Sequence, residues 1–84
     1  MNTIHVLDCT LRDGGYCNQW KFGLKNTKKI IKSLVDANVD IIECGFLTNK
    51  FTYDPEITKF TAVDEIAATI PTDRKGKLFV AMMN

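Results

Sequence analysis

The sequence predicts an α/β fold with a parallel sheet, on three observations. Apolar residues alternate between a two-residue and a helical period along the chain, the order is strand, helix, strand, helix, strand, and the charged residues of the strands fall on one face, toward their C-terminal ends. Residues 4–11, "IHVLDCTL", form the first predicted strand, with Leu7, Cys9 and Leu11 on one face and Asp8, Thr10 and Arg12 on the other. "YCNQWKFG" has no period and is predicted as a loop. In "NTKKIIKSLVDAN", Ile30, Ile31, Leu34 and Val35 share a helical stripe behind an Asn26 or Thr27 cap, and Asn38 suits the left-handed position that ends a helix.

The second strand is "VDIIECGF", in which Ile42, Cys44 and Phe46 share one side and Ile41, Glu43 and Gly45 the other. A long connection over residues 47–60 follows, with Phe51 and Tyr53 as candidates for a lid over a substrate. Thr61 and Asp64 suggest a capping box for a helix through Ile70, "PTDRKGK" a turn, and "KLFVAMM" the third strand. Parallel pairing with right-handed crossovers would bring Arg12, Asp13, Glu43 and Asn84 to one sheet edge. Ligands bind at that edge in open parallel sheets and in closed barrels alike. An apolar face beneath helices and a polar face toward the C-terminal end fit the division of a (β/α)8 barrel. A complete barrel takes roughly 250 residues. The 84 residues are therefore expected to be the N-terminal portion of one barrel domain, stopping after the third strand, with edges open to pairing or swapping with a second copy.

The chain is 45% hydrophobic and 25% charged, with a net charge of +1 and no basic block, a profile that excludes the electrostatic footprint of a nucleic-acid or membrane-surface binder. It contains no membrane-span-length apolar run and no signal-peptide layout, so a cytoplasmic location is expected. Cys9, Cys17 and Cys44 are an odd number without CxxC spacing, which suits reduced thiols. The lone histidine, His5, is expected to begin a strand away from the chemistry.

The segment "LDCTLRDGGY", followed by a helix and "VDIIECGF", resembles the opening of the metal-dependent pyruvate-type aldolases and Claisen-condensing synthases, a family that includes 4-hydroxy-2-oxovalerate aldolase, isopropylmalate synthase and hydroxymethylglutaryl-CoA lyase. Its D-x-T-L-R-D-G hallmark is present as Asp8, Thr10, Leu11, Arg12, Asp13 and Gly14. The resemblance implies that Asp13 ligates a divalent metal, Mn2+ or Mg2+, and that Arg12 stabilises the enolate formed as a carbon–carbon bond breaks or forms. It implies for Glu43 either positioning or proton transfer. A guanidinium suits the enolate because it keeps its charge at any working pH. Gly14 and Gly15 are expected to let the backbone turn tightly, and Asp8 to support Arg12.

The chain also departs from the family. Aldolases of this kind carry a histidine base shortly after Arg-Asp-Gly and the synthases Glu-Gln, where this chain has Gly15 and Tyr16. Tyr16 is either a replacement in proton transfer or a packing residue of the loop. The remaining metal ligands implied, a His-x-His pair, are not in the sequence. The expected function is a lyase acting on a small 2-oxo acid through a pyruvate enolate, in a homo-oligomer. The alternatives are an acetyl-CoA-dependent condensing synthase, disfavoured by the missing Glu-Gln, and a barrel without activity that serves as a binding or regulatory partner.

Overall fold

A computed structural model describes residues 4–50 and 52–83 of the chain. The elements are β1 (Leu7–Asp8), a helical turn α1 (Thr10–Asp13) continued by a 3-10 turn (Gly14–Cys17), α2 (Leu24–Asp36), β2 (Ile41–Leu47), β3 (Lys59–Phe60), α3 (Val63–Ala67) and β4 (Leu78–Met83). They make a small α/β domain around a parallel sheet. β2 is its central strand: β4 runs beside it from Ile41 to Leu47, β1 pairs with Ile41 and Ile42, and β3 with Phe46 and Leu47. Because β4 occupies one side of β2 along its whole length, β1 and β3 share the other side in succession. No helix among the described residues is long and apolar enough to cross a membrane.

The core follows the predicted stripes. Ile31 and Val35 of α2 pack with Ile42 and Cys44 of β2, and with Leu11, Phe60 and Ile66. Leu11, Ile31, Ile42 and Cys44 are completely buried, and each of the larger aliphatic side chains contributes about 1.5–3 kcal/mol by leaving water. Asn38 takes the left-handed conformation, φ +65°, and ends α2 as expected. The helix starts earlier than predicted, at Leu24, because its cap comes from far along the chain: the Leu24 N–H donates to the Glu56 carboxylate at 3.4 Å and the Gly23 N–H to the Glu56 carbonyl at 2.9 Å. Neither Asn26 nor Thr27 is the cap.

Four further expectations are corrected. The first strand is only two residues long, since the Asp8 carboxylate accepts the Thr10 N–H at 2.9 Å and the Thr10 hydroxyl at 3.0 Å, turning the chain into a helical turn where the two-residue period predicted strand. His5 consequently lies exposed, outside any strand. The long connection contains a strand, β3, too short to leave a period in the sequence. Helix α3 ends at Ala67, and the residue that reaches back to Thr61 is Glu65, not Asp64, accepting the Thr61 N–H at 2.7 Å and its hydroxyl at 2.8 Å. Beyond Ala67 the Thr69 hydroxyl donates to the Ile66 carbonyl at 2.7 Å, and Pro71 disfavours helix at the residue before it.

A change of register in β2 matters most for the site. Glu43 opposes Val80 but Phe46 opposes Met82, so three steps on β2 face two on β4. The extra residue lies at Cys44 and Gly45, and it reverses which way the following side chains face. Phe46 therefore lies on the face of Glu43, not with Ile42 and Cys44 as strict alternation predicts.

Candidate functional site

A helix of four residues has too few internal hydrogen bonds to persist alone, and α1 is held from outside. The Cys9 carbonyl accepts the Arg12 N–H at 3.1 Å and the Asp13 N–H at 2.7 Å. At the other end, where helix carbonyls lack partners, the Thr58 hydroxyl donates to the Leu11 carbonyl at 2.7 Å and the Trp20 indole N–H to the Arg12 carbonyl, also at 2.7 Å. The turn thus sends Leu11 into the core and leaves the neighbouring Arg12 past the C-terminal end of β1, beside Glu43 of β2.

There the Arg12 Nε–H donates to the Glu43 carboxylate at 2.6 Å. Both side chains are largely shielded, with 22% of Arg12 and 10% of Glu43 exposed. Such a charge-assisted bond fixes the guanidinium plane, and the Glu43 hydrogen bond raises the Arg12 pKa above its ordinary value, outweighing partial burial, so that Arg12 stays charged. Asp13 stands beside the pair at the surface: its carboxylate is 3.9 Å from the terminal guanidinium nitrogen and its side chain is 66% exposed. Arg12, Glu43 and Asp13 are therefore together, as expected. Asp8 does not serve as support for Arg12; its carboxylate is occupied by Thr10.

Tyr16 is exposed and lies edge-on to Trp20, with ring centroids 4.8 Å apart. Trp20 in turn stands edge-on to Phe46 at 5.6 Å and carries the Lys59 ammonium 4.0 Å above its ring. The glycine at position 15 is explained by this cluster and not by a tight turn. A Cβ on Gly15 would sit 1.9 Å from the Trp20 ring. Gly14 has ordinary helical angles, φ −64° and ψ −18°. Tyr53 packs on the core against Phe60, at 6.4 Å between centroids. Phe51 and Asn84, expected at a lid and at the sheet edge, lie outside the described residues.

In the sequence Trp20 lies within the segment predicted as a loop and Thr58 within the long connection, and neither carries a site motif. A lone tryptophan in a loop after two glycines is the one signal that could have drawn attention to Trp20. A separate concavity of about 320 Å3 between α3 and β4 is apolar except for Arg74 and is lined by no carboxylate, histidine or thiol. The three cysteines are free thiols: Cys17 exposed, Cys9 half-buried and Cys44 buried, where burial pushes its pKa up to about 12.

Asp13 offers an accessible carboxylate of the hard-oxygen type that Mg2+ and Mn2+ take, but no group of three possible ligands comes together among the described residues. These residues alone do not make a metal centre. No family model matches the chain, and no solved structure matches it.

Proposed function

We propose that the chain is the opening strand–helix–strand–helix–strand portion of a (β/α)8 barrel and that its Arg12–Glu43–Asp13 edge belongs to the active site of a divalent-metal-dependent lyase acting on a small 2-oxo acid. The observation that carries the reading is the guanidinium of Arg12, held past the C-terminal end of β1 by Glu43 of β2 at 2.6 Å with the Asp13 carboxylate next to it. The "LDCTLRDGGY" resemblance supports the same reading. So does the outer side of β4, where Leu78, Met82 and Met83 are exposed and a following barrel strand would cover them.

In a 4-hydroxy-2-oxo acid, cleavage breaks the bond between C3 and C4. The 4-hydroxyl gives up its proton as the aldehyde forms, the electron pair moves through C3 onto the 2-oxo oxygen, and protonation of C3 then completes pyruvate. In this reading Arg12 donates hydrogen bonds to that oxygen as its charge grows, supported by the Glu43 bond that orients the guanidinium. A metal held by Asp13 and by ligands outside the described residues would supply further positive charge to the same oxygen. Tyr16, exposed beside Trp20, is the candidate for moving the hydroxyl proton.

The test is a manganese titration read by electron paramagnetic resonance, on the protein as expressed from its natural reading frame and on Asp13→Asn. Binding that Asp13→Asn loses, with pyruvate released from 4-hydroxy-2-oxo acids, is the expected result. Binding indifferent to Asp13, or none, would leave a barrel without this chemistry and reduce the Arg12–Glu43 pair to a structural contact.

A further inference from the structure

We infer that Trp20 is a positioning residue for Arg12, holding the guanidinium against Glu43 through the backbone of α1; the functional meaning of this role rests on the reading just proposed. Three observations converge on it. The indole N–H donates to the Arg12 carbonyl at 2.7 Å, capping the C-terminal end of a helical turn that has few bonds of its own. The ring is itself confined: it occupies the space that a Cβ on Gly15 would take, Tyr16 and Phe46 meet it edge-on, and Lys59 covers one face.

The third observation is the backbone. Gln19 and Trp20 both have φ of +59°, a left-handed conformation that side chains rarely adopt and that persists only where surrounding contacts enforce it. Here the Trp20 N–H is shared between the Gly15 carbonyl at 3.0 Å and the Asn18 side chain at 3.1 Å, while the Trp20 carbonyl accepts the Thr58 N–H at 2.9 Å. Thr58 then donates its hydroxyl to the Leu11 carbonyl. Residues 11 and 12 are thus gripped at consecutive carbonyls by the side chains of two residues whose backbones are hydrogen-bonded to each other. A turn fastened in this way moves as one body with β2, which carries Glu43, so the distance between Arg12 and Glu43 is set by the clamp as well as by the attraction of the two charges.

The experiment reads geometry without a ligand or a metal, so its failure is distinct from failure of the proposed reaction. Arg12 and Arg74 are the two arginines and Trp20 the one tryptophan, so the arginine Nε–H and indole N–H signals in a nitrogen-15 spectrum of the protein are assigned with Arg12→Lys and Trp20→Phe. In the unaltered protein the indole N–H is expected to exchange with solvent far more slowly than a free indole; exchange at the free rate would overturn the inference whatever the variants do. In Trp20→Phe, with backbone dispersion retained, Arg12 Nε–H exchange should rise about fivefold, the weight of one hydrogen bond, while Arg74 does not change. An Arg12 signal unchanged in the folded variant would overturn the inference. If Trp20→Phe does not fold, Gly15→Ala, whose Cβ displaces the indole, is judged by the same two signals.

Discussion

Replacing Gly45 by alanine should be the most damaging single-methyl change in the domain. A Cβ there would sit 2.1 Å from the Thr58 carbonyl oxygen and 2.9 Å from its carbon, in a residue whose φ is +144°. Carbon and oxygen meet at about 3.3 Å or more, so the two backbones must part by roughly 1.2 Å. The Phe46 N–H bond to that same oxygen, 3.1 Å in the fold, would not survive the separation. Its loss costs about 1 kcal/mol, the forced movement about 1–3 kcal/mol, and a side chain in that backbone conformation about 1–3 kcal/mol. A total of about 3–7 kcal/mol is a large part of the 5–15 kcal/mol that holds ordinary domains together. Urea unfolding measures it, with Gly76→Ala as control, because Gly76 also has positive φ, +74°, but a Cβ there meets nothing within 4 Å. The control should lose only the backbone share. A Gly45→Ala loss below about 1 kcal/mol, or equal to that of Gly76→Ala, would refute the argument that β2 is pinned to Thr58 at this point.

Two more predictions concern titration. The Cys44 pKa is raised by burial to about 12, so the folded protein keeps a proton that the unfolded chain releases near 9. Stability should be independent of this group below pH 9, fall by up to about 1.4 kcal/mol per pH unit between 9 and 12, and lose that dependence in Cys44→Ala. In thiol labelling at pH 8, Cys17 should react first and Cys44 only on unfolding; prompt modification of Cys44 in the folded protein would contradict its burial. Asp36 has a lowered pKa, through its hydrogen bond and ion pair with Lys32 at 3.0 Å and a further contact with Lys75 at 3.4 Å. Its contribution to stability is present above the ordinary carboxylate range and is lost as pH falls through the lowered value. A carboxyl carbon titration should find it depressed at low salt and returned toward ordinary in Lys32→Met, with high salt reducing the difference.

Much of the fold was legible because burial periodicity is a local signal. Ile31 and Val35 on one stripe, the β2 run and the parallel order all follow from spacing alone, and Asn38 from its tolerance of left-handed angles. Two of the boundaries that failed have one cause, a partner distant in sequence, whereas β1 and α3 are cut short by bonds two and three residues away. Glu56 starts α2 two residues before its predicted cap region, and β3 exists as a strand only beside Phe46 and Leu47. Leu7 was expected beside Leu11 on an apolar face, yet it is half exposed while Leu11, turned inward by α1, is completely buried.

The site divides along the same line. Sequence by itself determined that Arg12 and Asp13 stand side by side after the first strand and that Glu43 belongs to the second, because order along the chain is the whole content of the motif and of the strand pattern. Tertiary structure alone decided how they are held. Glu43 takes the Arg12 Nε–H across 31 positions of chain, Thr58 reaches Leu11 across 47, and one extra residue in β2 turns Phe46 toward Trp20. The physical reason is that composition and period fix which side chains prefer burial or charge, while hydrogen bonds between distant carbonyls and donors depend on where the folded backbone places them.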